Sequence, residues 1–175
     1  MAKPARLGKE THHTVVRAPR ARRVGGPKAP AVIAYVDPAG EAYVALLGLK
    51  ETAASHLVDT ISKGLPFRTF ETFVSSTHLS VSDAATLVNI PTRTLTRRKQ
   101  SGRLAPDESD RLLRASRVIG RAIELFDGDR ESAKQWLARP QRALGGATPF
   151  QIASTEVGAR AVERLVDQLE LGIFV

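Results

Sequence analysis

The sequence predicts an all-α fold. After residue 50, apolar side chains recur at three- and four-residue spacing, and no segment alternates between polar and apolar residues for long. Proline and glycine interrupt this pattern at intervals that suit helices joined by short loops. A chain of 175 residues, of which 42% are hydrophobic, is large enough for one domain, or two small ones, with a proper core.

The first half of the chain predicts two helices after an undecided lead-in. Ala31 to Val36 is apolar, precedes the turn Asp37-Pro38-Ala39-Gly40, and fits a strand as well as a helix. Helical spacing starts after Thr52, and Gly64 and Pro66 separate the two helices. The apolar positions of the first helix are Leu57, Ile61 and Leu65, and those of the second are Phe67, Phe70, Phe73 and Val74. We expect the three phenylalanines to lie in the core.

The helices of the second half begin and end at recognisable residues. Pro106 suits a first helical turn, and the acidic residues behind it favour the positive end of the helix dipole. Asp127-Gly128-Asp129 ends that helix, and Asp129 can cap the next one, which carries Trp136 and Leu137 at its far end. Thr148-Pro149 opens a short helix. A last helix ends at Leu171-Gly172 and is marked by Val157, Ala161, Leu165 and Leu169.

Positive charge is concentrated in two places. The chain has 26 Lys and Arg against 18 Asp and Glu, a net charge of +8 that favours an anionic partner such as nucleic acid. Residues 1–30 hold eight basic residues, one acid and little to bury, so they predict a flexible arm, either a solvated tail or a nonspecific phosphate-binding arm. Residues 91–105 hold five basic residues and no acid, whereas residues 122–175 hold eight acids and six basic residues.

Residues 81–98 fit a helix-turn-helix, with Ser80 or Ser82 as the cap of its first helix. Ala85 is small enough for the second helix to cross closely, and Asn89 tolerates the left-handed geometry that the turn requires. Arg98 departs from the apolar residue usual near the end of this pattern, although its stem could cover apolar surface. The apolar residues that would seal the two helices are Ala84, Val88, Ile90 and Leu95.

The second helix of this pair carries the candidate DNA contacts. Its N-terminal residues Thr92, Arg93 and Thr94 occupy the positions that usually meet base edges in the major groove. Lys99 and Arg103 suit phosphates. The residues on its exposed face are Arg93, Thr96, Arg97 and Gln100. An amphipathic helix pair with a solvated basic face is the alternative, while single-stranded or RNA substrates are disfavoured because no aromatic residues lie between the basic ones.

The carboxy-terminal third contains a specific string of residues. Trp136-Leu137 is followed by Pro140, by the turn Leu144-Gly145-Gly146-Ala147-Thr148-Pro149, and by Glu156-Val157-Gly158-Ala159-Arg160. Alone, Trp136 is more typical of a core anchor than of a contact. Together with the chain end Leu171 to Val175, the string resembles the toxin-binding domain of the Xre/MbcA/ParS antitoxins. The upstream residues that join the resemblance are Gly64-Leu65-Pro66, Ile90 to Arg98, and Leu104-x-Pro106-x-Glu108-Ser109-x-Arg111.

The resemblance implies a function that composition could not reach. Antitoxins of this kind pair with RES-type toxins that deplete NAD, and the end of the antitoxin lies at the toxin's active site. The implied toxin contacts in this sequence are Glu170, Leu171, Gly172, Ile173, Phe174 and Val175. The apolar end could instead fray or be covered by the chain's own core. Operator DNA and a homodimer, or a higher complex with the toxin, are the other expected partners.

Chemistry for catalysis is missing from the pattern. His12, His13, His56 and His78 lack the neighbouring ligands of a metal site, and a chain without cysteine has no thiolate ligand or nucleophile. Gly145-Gly146 lacks the lysine and serine of a nucleotide cradle. We therefore expect no enzyme activity and no cofactor. The lack of an apolar run of membrane-spanning length, and of a secretory signal in the first ten residues, predicts a soluble, cytoplasmic protein without a membrane partner.

The predicted organisation has four parts. Residues 1–30 form the flexible basic arm, 31–50 the undecided lead-in, 51–105 the helix-turn-helix DNA-binding region and 106–175 the toxin-binding domain. The predicted function is an antitoxin that blocks a cognate RES-type toxin and represses its own operon. The alternatives are a stand-alone transcriptional regulator whose last domain serves oligomerisation, and a scaffold that binds no DNA.

Overall fold

A computed structural model describes residues 42–50 and 53–173, and within these ranges it confirms the all-α prediction. The sole extended pairing among them is an isolated bridge between Pro66 and Arg103. None of the described helices is both long and apolar enough to cross a bilayer. The helices are α1 (Ala42–Leu46), α2 (Ala54–Ser62), α3 (Phe67–Thr77), α4 (Val81–Leu87), α5 (Thr92–Ser101), α6 (Pro106–Leu125), α7 (Arg130–Leu137), a 3-10 turn (Arg142–Leu144), α8 (Pro149–Ile152) and α9 (Glu156–Glu170).

The longest helix, α6, is the centre of the fold. It packs against α1, α2, α3, α7 and α9. Its apolar residues Leu112, Val118 and Ala122 are buried in a hydrophobic core that runs from α1 to α9. Because α6 is continuous, the amino-terminal helices and the carboxy-terminal helices share one rigid element.

Two loops are locked together beside the start of α6. Gly64, at φ +80°, lies so close to the backbone of Leu104 that a Cβ there would fall 2.2 Å from the Leu104 carbonyl oxygen. The Leu104 amide donates to the Leu65 carbonyl at 2.9 Å, and the Leu65 amide donates to the Ser109 hydroxyl at 2.8 Å. Glycine is therefore required at position 64 by both conformation and space.

Side-chain caps begin α4, α7, α8 and α9, the first three of them at residues that the sequence predicts. The Asp129 carboxylate accepts from the Ser132 hydroxyl and from the Ser132 and Glu131 amides, and these bonds lower the pKa of Asp129. Thr148 and Thr155 cap α8 and α9 through their hydroxyls. Of the two candidate caps for α4, Ser80 serves, since its hydroxyl accepts from the Asp83 amide at 3.0 Å. Each cap satisfies an amide that the helix leaves unpaired.

Two expectations about the apolar pattern need correction. Leu165 is buried as expected, but Val157 is 78% exposed and Ala161 and Leu169 are half-buried, because the face of α9 turned to the core is rotated away from the predicted stripe. That face consists of Gly158, Ala159, Val162, Leu165 and Val166. In the first half, Leu65 is buried but follows α2 in a loop, so it does not extend the helical stripe of Leu57 and Ile61.

Part of the undecided lead-in is helical, since α1 lies within it and buries Tyr43 and Val44. The aromatic side chains Phe67, Phe70 and Phe73 lie in the core, which confirms their predicted place. The predicted flexible arm (residues 1–30), the apolar segment Ala31 to Val36, and the last two residues, Phe174 and Val175, lie outside the described residues.

Candidate functional site

The helices α4 and α5 form the predicted helix-turn-helix. Asn89 takes a left-handed conformation, with φ +50°, at the turn between them. The Ile90 amide closes the turn by donating to the Ala85 carbonyl at 2.9 Å. The prediction that this pair is sealed by apolar residues is confirmed, since Ala84, Val88, Ile90 and Leu95 are all at most 4% exposed.

A buried glutamate fixes the far end of α5. Glu108, in the first turn of α6, is 4% exposed. Its carboxylate accepts from the Arg98 Nε at 2.7 Å and from the Ala105 amide at 2.7 Å. The bond from Arg98 to Glu108 raises the pKa of Arg98. Arg98, the residue that departs from the usual apolar pattern, is thus a structural partner that ties α5 to α6.

Two more residues of α6 bond to neighbouring segments of the amino-terminal half. The Ser109 hydroxyl, fully buried, accepts from the Leu65 amide and donates to the Ala105 carbonyl at 2.8 Å. Arg111 donates to the Val88 carbonyl, at the carboxyl end of α4, at 2.8 Å. Glu108 and Arg111 of the motif at residues 104–111 therefore tie α5 and α4 to α6, and Ser109 ties the loop after α2 to the start of α6.

The exposed side chains of α5 form one surface, which we call the α5 face: Arg93, Thr96, Arg97 and Gln100. Thr92, also predicted, is exposed, whereas Thr94 is only partly so. Leu95, on the opposite side of the helix, faces the core. A planar arginine held on a rigid helix suits the two major-groove acceptors of guanine.

Both predicted phosphate contacts, Lys99 and Arg103, already have partners within the chain. Lys99 pairs with Glu71 of α3 at 3.0 Å, and both side chains are at least half exposed. The Arg103 guanidinium donates to the Gly64 carbonyl at 2.9 Å through Nη2. Thr92, Thr96 and Lys99 also line an apolar groove of about 310 Å³ between α3 and α5. Arg93, Arg97 and Gln100 lie outside that groove.

In the carboxy-terminal half, a row of ion pairs joins α6 to α9. Three arginines of α6, spaced three and four residues apart, face carboxylates spaced along α9. We call these contacts the α6–α9 ion-pair row: Arg114 to Glu156 (2.8 Å), Arg117 to Glu163 (2.5 Å), and Arg121 to both Asp167 and Glu170 (3.0 Å to the latter). The arginine side chains are 13% to 28% exposed, so these ion pairs are partly shielded from solvent. They fix the position of α9 along α6.

The pKa shifts in this row agree with its geometry. The hydrogen bond from Arg160, with the charges of Arg114 and Arg117 nearby, lowers the pKa of Glu156 despite some burial. Burial opposes charge on Arg121, but the hydrogen bonds that it donates to Asp167 and Glu170 raise its pKa. Both groups are therefore charged at neutral pH, and the ion pairs persist there.

The end of α9 presents apolar side chains from a defined turn. Gly172, at φ +69°, ends the helix; its amide donates to the Leu169 carbonyl and the Ile173 amide donates to the Gln168 carbonyl. This paired pattern is the Schellman motif. It leaves Leu171 76% exposed and Ile173 48% exposed. Glu170, also expected to meet a partner, is held by Arg121.

The glycine pair of the specific string forms a tight loop. Gly145 and Gly146 have φ +67° and +83°. The Gln141 amide donates to the Ala147 carbonyl, and the Gly146 amide donates to the Gln141 carbonyl, each at 3.0 Å. Trp136 is half-buried, packs on the core and lies 6.4 Å from the Phe126 ring, centre to centre. Gly145, Gly146 and Trp136 therefore determine the shape of this segment and do not form an exposed polar site.

The residues that position the two surfaces were not predicted from the sequence. Glu108 was assigned only a helix-dipole role, and Arg121 none, although its i, i+3, i+7 spacing with Arg114 and Arg117 was a signal for a basic face. Glu108 holds Arg98 of α5, the helix that carries the α5 face, and Arg121 holds Glu170, which precedes Leu171. The arrangement is that of a small DNA-binding module joined to a second binding domain.

Known protein families match both the helix-turn-helix half and the carboxy-terminal half of the chain. Residues 56–117 match the model of the antitoxin Xre-like helix-turn-helix domain, and residues 121–172 match that of the antitoxin Xre/MbcA/ParS C-terminal toxin-binding domain. The two matches meet inside α6. Together they define the class, a DNA-binding antitoxin with a toxin-binding domain.

Relatives that align with most of the chain narrow the class to one family. Proteins named antitoxin Xre from Yersinia enterocolitica and Photorhabdus laumondii are each 34% identical to this chain, over 129 and 128 residues. These alignments cover 73% of this chain and 87% and 86% of the relatives. An antitoxin Xre from Pseudomonas putida is 38% identical over 84 residues, 47% of this chain and 52% of that protein. The chain belongs to the antitoxin Xre family.

Proposed function

We propose that this antitoxin binds and blocks a cognate RES-type, NAD-depleting toxin through the end of α9, and represses its own operon through the α5 face. The observation that carries the first half is the chain end, where Leu171 and Ile173 are exposed on a turn that Gly172 and Arg121 hold in place. Exposed apolar side chains on an ordered turn favour a protein partner. The RES class of that partner rests on the resemblance in sequence.

The proposed toxin contacts are the last six residues, with different roles. Glu170 would anchor the end of α9 through Arg121, and Gly172 would set the direction in which the chain leaves the helix. Leu171, Ile173, Phe174 and Val175 would supply the apolar contacts. The excess of acids after residue 122 suits a toxin pocket that carries positive charge for a phosphate-bearing ligand.

Co-expression tests the partnership. We expect the full chain to co-purify, through size-exclusion chromatography in moderate salt, with the protein encoded by the reading frame adjacent to its gene. A complex that survives moderate salt indicates apolar contacts in addition to charge. Separate elution of the two proteins at micromolar concentration would contradict the proposed neutralisation by direct binding.

The proposed repressor activity uses α5 as the recognition helix. Thr92, Arg93 and Thr94 would approach base edges, whereas Lys99 and Arg103 would approach phosphates as far as their contacts to Glu71 and Gly64 allow. The remaining proposed contacts are Thr96, Arg97 and Gln100. A homodimer would present two copies of α5 to paired half-sites about one helical turn of DNA apart.

We predict that the double substitution Arg93→Ala and Arg97→Ala weakens binding to the operon's promoter DNA by about ten-fold or more, because each arginine contact with a base or phosphate is lost. Both residues are exposed, so the fold should be unaffected. Gel-shift titration at fixed salt measures the effect. The matched control, Arg139→Ala with Arg142→Ala, removes the same charge from exposed positions outside the helix-turn-helix. Equal losses for both pairs would show that only net charge matters.

A further inference from the structure

The outer face of α9 carries apolar side chains that the fold does not cover. Val157 and Leu171 are 78% and 76% exposed, the two highest values among the exposed large hydrophobic residues of the described chain. They lie at opposite ends of the same helix. Single exposed apolar residues are ordinary on a protein surface, whereas two that lie on the same side of one helix can form part of a binding surface.

The two residues share one side of the helix. They are fourteen positions apart, which at 100° per residue places them within about 40° of each other and about 21 Å apart along the axis. Arg164, halfway between them and also exposed, lies on the same side. The buried residues Ala159 and Val166 lie on the opposite side. We call this surface, Val157, Arg164 and Leu171, the outer face of α9.

The ion-pair row holds the outer face in a fixed orientation. Glu163 and Asp167 occupy the flank of α9 that meets α6, so the helix cannot roll to bury Val157 without breaking their contacts with Arg117 and Arg121. At the amino end, Gly158 lies against the Ile152 backbone with no room for a side chain. The outer face is therefore a rigid surface that runs directly into the chain end at Leu171.

The six residues proposed as toxin contacts are alone too few for a stable protein interface. Stable interfaces bury about 800 Å² on each partner and involve about 20 to 30 residues a side. The partner must therefore contact more of this domain, and the outer face, where Val157 and Leu171 flank Arg164, is the exposed side of α9 that leads to the chain end. We infer that the toxin contact extends from the chain end along the outer face of α9 to Val157. The inference rests on the proposed toxin binding.

Two matched valine substitutions test this extension. Val157→Glu changes the outer face, and Val58→Glu makes the same change at a valine that is 66% exposed on α2, in the helix-turn-helix half. We expect Val157→Glu to weaken binding of the full chain to the adjacent gene's product about ten-fold or more, because a carboxylate replaces a covered apolar contact. Val58→Glu should stay within about two-fold of wild type. Titration calorimetry gives the affinities.

Arg164→Glu supplies a second substitution on the same surface, and thermal unfolding of each variant checks the fold. Loss of affinity for both outer-face variants at an unchanged melting temperature supports the inference.

If the wild-type chain binds and both variants bind equally well, the outer face is not part of the contact, although toxin binding stands. If Val157→Glu changes only the molar mass of the free chain in light scattering, the face joins two copies of the chain and the inference is overturned. If the wild-type chain fails to bind, toxin binding itself is refuted, and the inference with it.

Discussion

Removal of Leu171 to Val175 is expected to abolish the ability of this chain to rescue cells that express its proposed cognate toxin. The deletion takes away Leu171 and Ile173, whose exposed side chains are free to enter a partner's pocket, and the glycine that directs them. It leaves the core of the domain in place, because the buried residues of α9 end at Val166 and the ion pairs of Arg121 reach only to Glu170. The assay is colony formation with the toxin induced.

A milder variant separates loss of contact from loss of folding. Leu171→Ser with Ile173→Ser keeps the backbone and Gly172, so the Schellman motif that ends α9 remains. We expect this variant to lose most of the rescue while its helix content, measured by circular dichroism, matches wild type. Full rescue by the truncated chain would refute the role assigned to the chain end.

Gly158→Ala is expected to lower the free energy of unfolding by about 3 kcal/mol, since it overpacks a buried contact between backbones. A Cβ on residue 158 would lie 1.8 Å from the Ile152 carbonyl oxygen and 2.5 Å from its carbon. No side-chain rotation relieves a clash with backbone, so α8 must move away from α9. Urea denaturation, with the midpoint and slope fitted together, measures the loss.

Gly120→Ala is the matched control, since Gly120 is also a buried helical glycine, in α6. A Cβ there would lie 3.4 Å from atoms of Tyr43, an approach that small shifts can accommodate. The gain from the helix propensity of alanine offsets much of the crowding, so stability should stay within about 1 kcal/mol of wild type. Equal destabilisation by both substitutions would contradict the account of why glycine stands at position 158.

Local patterns were strong enough to predict most elements of this fold. The turn of the helix-turn-helix needs a left-handed residue, and Asn89 is one of the few side chains that supplies it at low cost. Asp129 and Thr148 were predictable as caps for a similar reason, because their oxygens satisfy amides within three residues. Interactions of this kind are contained in a short stretch of sequence.

The features that the sequence did not predict depend on distant residues. Arg98 pairs with Glu108 across a loop, and Leu65 bonds to Ser109, 44 residues away. The buried face of α9 was placed wrongly because small residues, Gly158 and Ala159, face the core while Val157 faces outward. Close packing of α8 selects the small residues there, and hydrophobic spacing alone cannot show which neighbour a helix meets.

The candidate surfaces were predictable to different degrees. The exposed basic residues of α5 followed from helical spacing once the buried side of the helix was known, and Arg93 and Arg97 are exposed as expected. The internal partners of Lys99, Arg103 and Glu170 could not be foreseen, since each lies on another element. Both the α5 face and the chain end are held by residues of α6, which spans the two family domains.

The central claim, that this antitoxin blocks an NAD-consuming toxin with its chain end, is tested most directly by the rate of NAD loss. The purified product of the adjacent gene would be mixed with NAD and with increasing amounts of the full chain or the chain lacking Leu171 to Val175. We predict that the full chain stops NAD loss near a fixed molar ratio and that the truncated chain leaves it nearly unchanged. An undiminished rate with excess full chain, or equal inhibition by both chains, would contradict the claim.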